Sequence, residues 1–269
     1  SISKDFAPHA VKAGAVVIDN SSAFRMDPEV PLVVPEVNPQ AILKHKGIIA
    51  NPNCSTIIMV MALKPIYDLA KIKRVIVSTY QAVSGAGKEG IDELDAQVRD
   101  HSEGREMTAN ILPSASAEKH YPIAFNLIPQ IDVFCDNLYT KEEMKMVNET
   151  KKIMEDYEMR ITATTIRVPV YRSHSESVNI ELEKEVDLGA MREALAKFPG
   201  VTVQDDPSKQ EYPMPLYTSE KDDVYVGRLR RDESCEKSYN MWVVGDQIRK
   251  GAALNTLQIA ETMIKNGWI

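Results

Sequence analysis

The chain has 269 residues, of which 43% are hydrophobic, 26% charged and 6% aromatic, and it carries a formal net charge of -7. This is the composition of a folded globular protein with room for one large domain or two smaller ones, and it excludes a disordered or low-complexity chain. The acidic balance provides no basic face for nucleic acid, and no apolar run approaches the roughly 18 residues that a bilayer span requires.

Ser1 to Gly14 reads as a helix already in progress, and with no initiating Met the expectation is that a segment precedes it. From Ala15 to Asn53, three short apolar runs, Ala15 to Ile18, Pro31 to Val34 and Gly47 to Ala50, alternate with polar, turn-rich stretches. They predict strands whose ends form the carboxyl edge of an α/β sheet, where ligand loops gather. Cys54 to Ala70 is apolar nearly all round, which predicts a buried helix, with Pro65 expected to kink it.

Lys73 to Ser84 is a strong strand pattern that ends in the small-residue turn Ser84-Gly85-Ala86-Gly87. A helix is expected from Lys88 to Asp100, and the aperiodic stretch His101 to Ala117 is expected to be a surface excursion. Thr140 and Glu143 make a capping box that opens a helix to about Asp156. Strands are predicted at Arg160 to Val170 and Ser175 to Glu183, followed by a helix capped by Asp187 through Phe198. Two further strands are expected at Val224 to Arg230 and Ser238 to Val244, and a closing helix from Asp246 to Lys265. Mixed strands with intervening helices predict a single sheet covered on one face.

The cysteines at 54, 135 and 235 are too dispersed for a disulfide scaffold, and the five histidines show no metal-ligand spacing. No signal peptide is evident, so a reducing cytoplasm is the expected setting, and the glycosylation patterns at Asn20, Asn53 and Asn148 are read as accidental.

Cys54 follows Asn51-Pro52-Asn53 and opens an apolar helix. A helix N-terminus favours the thiolate, the nucleophilic form, although a buried core cysteine behind a good cap would look the same. A thiol nucleophile needs a base. His174, between two strand patterns and among Ser173, Ser175 and Ser177, is the candidate, with a surface histidine as the plain alternative. Arg167 lies on an otherwise apolar strand, where it either reaches solvent from an edge or meets an anion. It stands seven residues before His174, a step that puts the two on opposite faces of a regular strand unless Pro169 bends the chain. Gln81 ends a strand and can hydrogen-bond a substrate, or simply terminate the strand.

Five ordered segments carry a resemblance that spans essentially the whole chain: Asn53-Cys-Ser-Thr56, Tyr80-Gln-Ala-Val-Ser-Gly-Ala-Gly87, Asn148-Glu-Thr-Lys-Lys152, Arg167-Val-Pro-Val-Tyr-Arg-Ser-His174 and Gly245-Asp-Gln247. On these segments the sequence resembles the aspartate-β-semialdehyde dehydrogenase family. The resemblance implies attack by Cys54, beside Asn53, on the acyl phosphate of aspartyl phosphate. Inorganic phosphate is then released, and hydride from NADP(H) reduces the thioester. It further implies that His174 is the acid and base, that Gln81 and Arg167 orient the substrate, and that Glu149 faces its amino group. Arg25 and Lys152 would bind phosphate, and Ser84, Gly85 and Gln247 would contact the cofactor. A homodimer or dimer of dimers is implied as well.

The fold class expected on this basis is α/β plus α+β. Residues 1–53 would be the remnant of a Rossmann-like NADP-binding domain, 54–245 an α+β catalytic and dimerisation domain of mixed sheet, and 246–269 a C-terminal helix returning to the NADP-binding domain. The family's Gly-rich phosphate loop does not occur in this sequence. At about 30 or more residues per βαβ unit, roughly two units precede the point where the resemblance begins, and weak NADPH binding by this chain is therefore expected. Other readings of the same residues are a related acyl-phosphate reductase such as N-acetylglutamyl-phosphate reductase, a glyceraldehyde-phosphate dehydrogenase, a cysteine hydrolase, and an inert dimerisation module.

Overall fold

In the computed structural model, which describes residues 2–269, the chain enters through α1 (Ile2–Lys12). The first residue of the predicted N-terminal helix, Ser1, lies outside the described residues. Strands β1 (Val17–Asp19) and β2 (Ile48–Ala50) pair in parallel, with Asp19 opposite Ala50. The expected strand at Pro31 to Val34 is not formed, and Leu32 makes only an isolated parallel bridge to Ala50. Pro31 and Pro35 bracket that run, and neither has an N-H to extend a ladder.

Helix α2 (Cys54–Leu69) runs through Pro65 without a break. Every residue from Ser55 to Leu63 is buried, together with Pro65 and Ile66. At roughly 1.5–3 kcal/mol for each large apolar side chain, packing from all sides outweighs the hydrogen bond that Pro65 removes.

The rest of the chain supplies β3 (Ile72–Gln81), α3 (Lys88–Ser102), α4 (Lys141–Met154), β4 (Arg160–Arg167), β5 (His174–Leu182), α5 (Leu188–Lys197), β6 (Val201–Val203), α6 (Pro215–Thr218), β7 (Val224–Arg231), β8 (Ser238–Gly245) and α7 (Leu254–Asn266). The strands form one six-stranded sheet in the order β4-β3-β5-β8-β7-β6. β3 is parallel to β4 and antiparallel to β5, and β8 is antiparallel to both β5 and β7. The short edge strand β6 was not anticipated from the sequence. Alternation along β3 separates a covered face of Val75, Val77, Thr79 and Gln81 from a half-exposed face of Ile76, Ser78 and Tyr80. Helices α2, α4 and α5 pack with the covered face in one hydrophobic core.

A second core joins Val33, Ala41, Ile42 and Ile49 to Ile259 and Met263, fixing α7 against the N-terminal strands. A third gathers Val83, Leu94, Leu112, Ile123, Ala124 and Ile128. The expected surface excursion is thus pinned: Leu112 is fully buried, and buried Gln97 bonds Thr108 O and the N-H groups of Ile123 and Ala124. The closing helix also starts later than expected. A π-helical turn over Arg249–Ala253 precedes α7, and such turns often mark functional sites. No helix among the described residues is long and apolar enough to cross a membrane.

Candidate active site

The covered face of the sheet ends in a row of functional side chains. Gln81 is opposite Arg167 across the β3–β4 register, Tyr80 opposite Ser175, and His174 opposite Gly245. Arg167, Gln81, His174 and Gly245 therefore stand side by side on one face, since directly opposed residues point the same way. Gly245 leaves room for α2: a Cβ there would lie 3.0 Å from Ile58 Cγ1. The N-terminus of α2, with Cys54, is thereby brought to this end of the sheet. On the other side the π-helical turn closes in, and a Cβ on Gly251 would lie 3.0 Å from Cys54 Cβ.

Asn53 is the N-cap of α2, its Oδ1 accepting from the N-H groups of Ser55 and Thr56 at 3.1 and 3.2 Å. The cap thus takes up two of the donors expected to favour a thiolate. Burial, and next the Glu142 carboxylate, push the Cys54 thiol up to about 12, against the weaker pull of Arg25, Arg167 and the Ser55 N-H. The resting residue is a protonated thiol, so burial and the Glu142 charge outweigh the helix terminus expected to favour the thiolate. Cys54 keeps partial exposure, so a reagent can reach it.

His174 is fully buried, and its Nδ1 accepts from the Ala82 N-H at 3.0 Å. That bond places the proton of the neutral ring on Nε2. Burial and the nearby Arg167 charge hold the ring well below its usual value, so it stays neutral. Gln81 is oriented by Thr79 Oγ1, which donates to its Oε1 at 3.1 Å, and by Glu142 Oε1, which accepts from its Nε2 at 3.2 Å. The Gln81 and His174 Nε2 atoms are 3.4 Å apart, two donors side by side.

Arg167 is buried, and the hydrogen bond its side chain makes goes from Nη1 to Ala82 O at 2.7 Å. Among the described residues its Nε has no partner. A buried guanidinium with most of its fork unsatisfied is a receptor for a planar anion. Gly85 adjoins it: a Cβ there would lie 2.7 Å from Arg167 Nη1 and 3.3 Å from His174 Cε1.

The remaining sequence candidates are engaged with protein. Glu149 accepts from the Asn53 N-H at 2.6 Å and from Arg25 Nη1 at 3.2 Å. Burial is the chief cause of its raised pKa, with Arg25 opposing it. Arg25 also donates to Asn51 O and Asn20 O. Lys152 Nζ donates to Arg25 O, Asp27 O and Val30 O at 2.8, 2.7 and 2.8 Å. All three of its N-H donors are thus committed to the loop that carries Arg25. Ser84 Oγ accepts from Gln247 Nε2 and donates to Tyr171 O, while Gln247 Oε1 accepts from the Ser173 N-H at 2.9 Å. Sequence reasoning overlooked Glu142, whose place beside the capping-box residue Glu143 made it look like cap chemistry, and Glu176, a buried carboxyl with no hydrogen-bond partner among the described residues.

Residues 63–250 match the family described as semialdehyde dehydrogenase, dimerisation domain, and residues 1–45 match semialdehyde dehydrogenase, NAD binding domain. Aspartate-semialdehyde dehydrogenase of Aquifex aeolicus strain VF5 is 56% identical over 271 residues, covering 100% of this chain and 78% of the relative.

The chain belongs to the aspartate-semialdehyde dehydrogenase family.

The crystal structure of aspartate semialdehyde dehydrogenase II from Vibrio cholerae, complexed with ASA, has a TM-score of 0.92 at 47% identity, covering 98% of this chain and 76% of that one. The Candida albicans aspartate semialdehyde dehydrogenase with NADP has a TM-score of 0.75 at 25% identity, covering 100% of this chain and 76% of that one. The relatives agree with the expected fold, a Rossmann-like remnant joined to an α+β domain with a mixed sheet.

Proposed function

We infer that this chain catalyses the NADPH-dependent reductive dephosphorylation of L-aspartyl-4-phosphate to L-aspartate-4-semialdehyde through a thioester on Cys54. The observation that carries the assignment of residues is Arg167. Its under-bonded guanidinium shares a row with Gln81 and His174, at the end of the sheet where Cys54 sits. Arg167 takes the substrate α-carboxylate in bidentate fashion and places the acyl carbon near Sγ. Sγ forms the C–S bond, the bond from the acyl carbon to the bridging oxygen breaks, and its electron pair leaves with phosphate. The thiol proton ends on the released hydrogen phosphate.

His174 donates through Nε2–H to the acyl oxygen as charge develops there, with the Gln81 amide alongside. Acceptance of the thiol proton by His174 would first require Nε2 to give up its own proton. Glu149 and Arg25 exchange their mutual bond for the substrate amino and phosphate groups, and Lys152 acts by holding the Arg25 loop. NADPH, when bound, supplies the hydride that reduces the thioester. Ser84, Gly85 and Gln247 would hold its nicotinamide half, and the fit rests on exposed Gly85, where a side chain would crowd both Arg167 and His174. The Candida albicans relative crystallised with NADP supports this cofactor.

Residues 1–53 and 246–269 are the nucleotide-side part and 54–245 the catalytic and dimerisation part, a division supported by the separate core that joins α7 to the N-terminal strands. The working unit is a homodimer. The half-exposed sheet face, with Tyr80 and Trp242 at 5.5 Å, supports association there, and sedimentation distinguishes a dimer from a dimer of dimers. Cys54→Ser tests the chemistry. The unmutated chain should release one equivalent of phosphate from aspartyl phosphate in a burst, and the variant none. A burst that survives the substitution would remove Cys54 from the reaction.

A further inference from the structure

Glu142 is a buried carboxylate on α4 that touches two other elements of the site, α2 at its cap and β3, besides Lys145 on its own helix. Its Oε1 accepts from Asn53 Nδ2 at 2.9 Å and from Gln81 Nε2 at 3.2 Å, and its Oε2 accepts from Lys145 Nζ at 3.0 Å. Lys145 in turn pairs with Asp132 at 3.0 Å. One carboxylate oxygen therefore joins the cap residue of the nucleophile's helix to the amide at the end of β3. Each amide is held at its oxygen by other partners and at its nitrogen by Glu142. The Asn53 oxygen is committed to the cap, and the planar amide then turns its Nδ2 toward Glu142. The Gln81 oxygen accepts from Thr79 Oγ1.

We propose that Glu142 is a positioning residue for acyl transfer, a single anionic acceptor that locks Asn53 and Gln81 in register on either side of Cys54. A charged acceptor suits the task because it holds both amides, nitrogen first, with bonds stronger than a neutral oxygen would make. With one Gln81 N-H given to Glu142, the other is left toward His174 and the space that the acyl oxygen enters. Lys145, Arg167, Cys54 and Glu149 are titratable groups that sense the same charge. Glu142 stays ionised because Lys145 and the two amide donors outweigh its burial. It supports the Arg167 cation without contacting it, so the guanidinium fork remains open for substrate. The same charge disfavours the Cys54 thiolate, so Glu142 positions the reaction while restraining its nucleophile.

Those two effects have opposite signs, which separates positioning from mere structural support. The inference rests on the acyl-transfer reading of Cys54, and two measurements on the full chain keep the two apart. Single-turnover phosphate release from aspartyl phosphate should fall about 10- to 100-fold in Glu142→Ala. In Glu142→Gln, which keeps an acceptor oxygen, it should fall only about threefold. Alkylation of Cys54 by iodoacetamide near neutral pH, followed by peptide mass, should instead rise about 3- to 10-fold in both variants as the nearby negative charge is removed. Phosphate release unchanged in Glu142→Ala overturns the inference, as does alkylation that slows or stays level in both variants. If the unmutated chain releases no phosphate, the acyl-transfer reading fails by itself, and alkylation still decides whether Glu142 acts on Cys54.

Discussion

Arg167 and His174 flank Gln81 from β4 and β5, on the same face and at the same end of the sheet. Taken as one extended strand, the segment that joins them would put them on opposite faces. Instead the chain leaves β4 after Arg167, loops past Pro169 with Ser173 at a φ of 68°, and returns on the far side of β3 as β5. The pairing that brings them together is thus between strands. A cation that needs an anion and a neutral Nε2–H donor consequently address one small volume beside Cys54.

Gly85 borders that volume, and its backbone does not lie in the left-handed region, so an alanine there meets steric cost alone. Its Cβ would stand 2.7 Å from Arg167 Nη1, too close without displacing the guanidinium. Gly85→Ala should raise KM for aspartate semialdehyde about tenfold or more, with the melting temperature nearly unchanged. Steady-state kinetics in the oxidative direction give the answer, and an unaltered KM would mean that Arg167 does not bind the substrate carboxylate.

What was legible beforehand divides along local and non-local lines. The cap at Asn53, the capping box at Thr140 and Glu143, and the all-apolar α2 follow from neighbours in sequence, and each is formed. The row of Arg167, Gln81 and His174 was not legible, because strand order and register are set by which faces the whole chain can bury. The same holds for Lys152 and Glu149. The resemblance gives both to the substrate, and only tertiary contact with residues 25–30 and 53 reveals the bonds they already make. Glu142 was hidden by the cap chemistry beside it. Pro31 to Val34 looked like a strand because hydrophobicity was read without the two flanking prolines.

The Cys54 thiol, pushed up from 9.0 to about 12, predicts an unusual pH profile. Alkylation by iodoacetamide should climb about tenfold per pH unit from 7 to 10 without levelling, since only the thiolate reacts. A plateau near pH 8 or 9 would contradict the burial effect. The folded chain keeps a proton that the unfolded chain releases above pH 9, so the associated stability is complete below pH 9 and is lost between 9 and 12. Cys54→Ser, which has no such group, should lose less stability over that interval in denaturant titrations.

Lys152 holds three carbonyls of the loop from Arg25 to Val30 with its ammonium group. Lys152→Met leaves those acceptors without their donor and should cost about 1.5–3 kcal/mol in urea unfolding. It should also raise KM for phosphate in the oxidative direction as Arg25 loses its support. An effect below about 0.5 kcal/mol, typical of an exposed lysine, would show that the loop holds its shape without this residue.

Glu176 lies two residues beyond His174 on the covered face of β5, fully buried, with both carboxyl oxygens unpartnered among the described residues. Burial alone raises its pKa well above the usual carboxylate range. The folded chain therefore holds the Glu176 proton to higher pH than the unfolded chain does. By linkage, stability associated with this residue is full below the unfolded-state pKa and falls as pH rises above it, so Glu176 is a liability at pH 7 to 8. Glu176→Gln removes the titration while keeping the volume. Its melting temperature should exceed that of the unmutated chain at pH 8 by about 2–4 °C for each kcal/mol recovered, and the advantage should shrink toward pH 4.5. A gain that is the same at both pH values would assign the effect to packing, and a loss at pH 8 would mean that the carboxylate is ionised and bound in the folded protein.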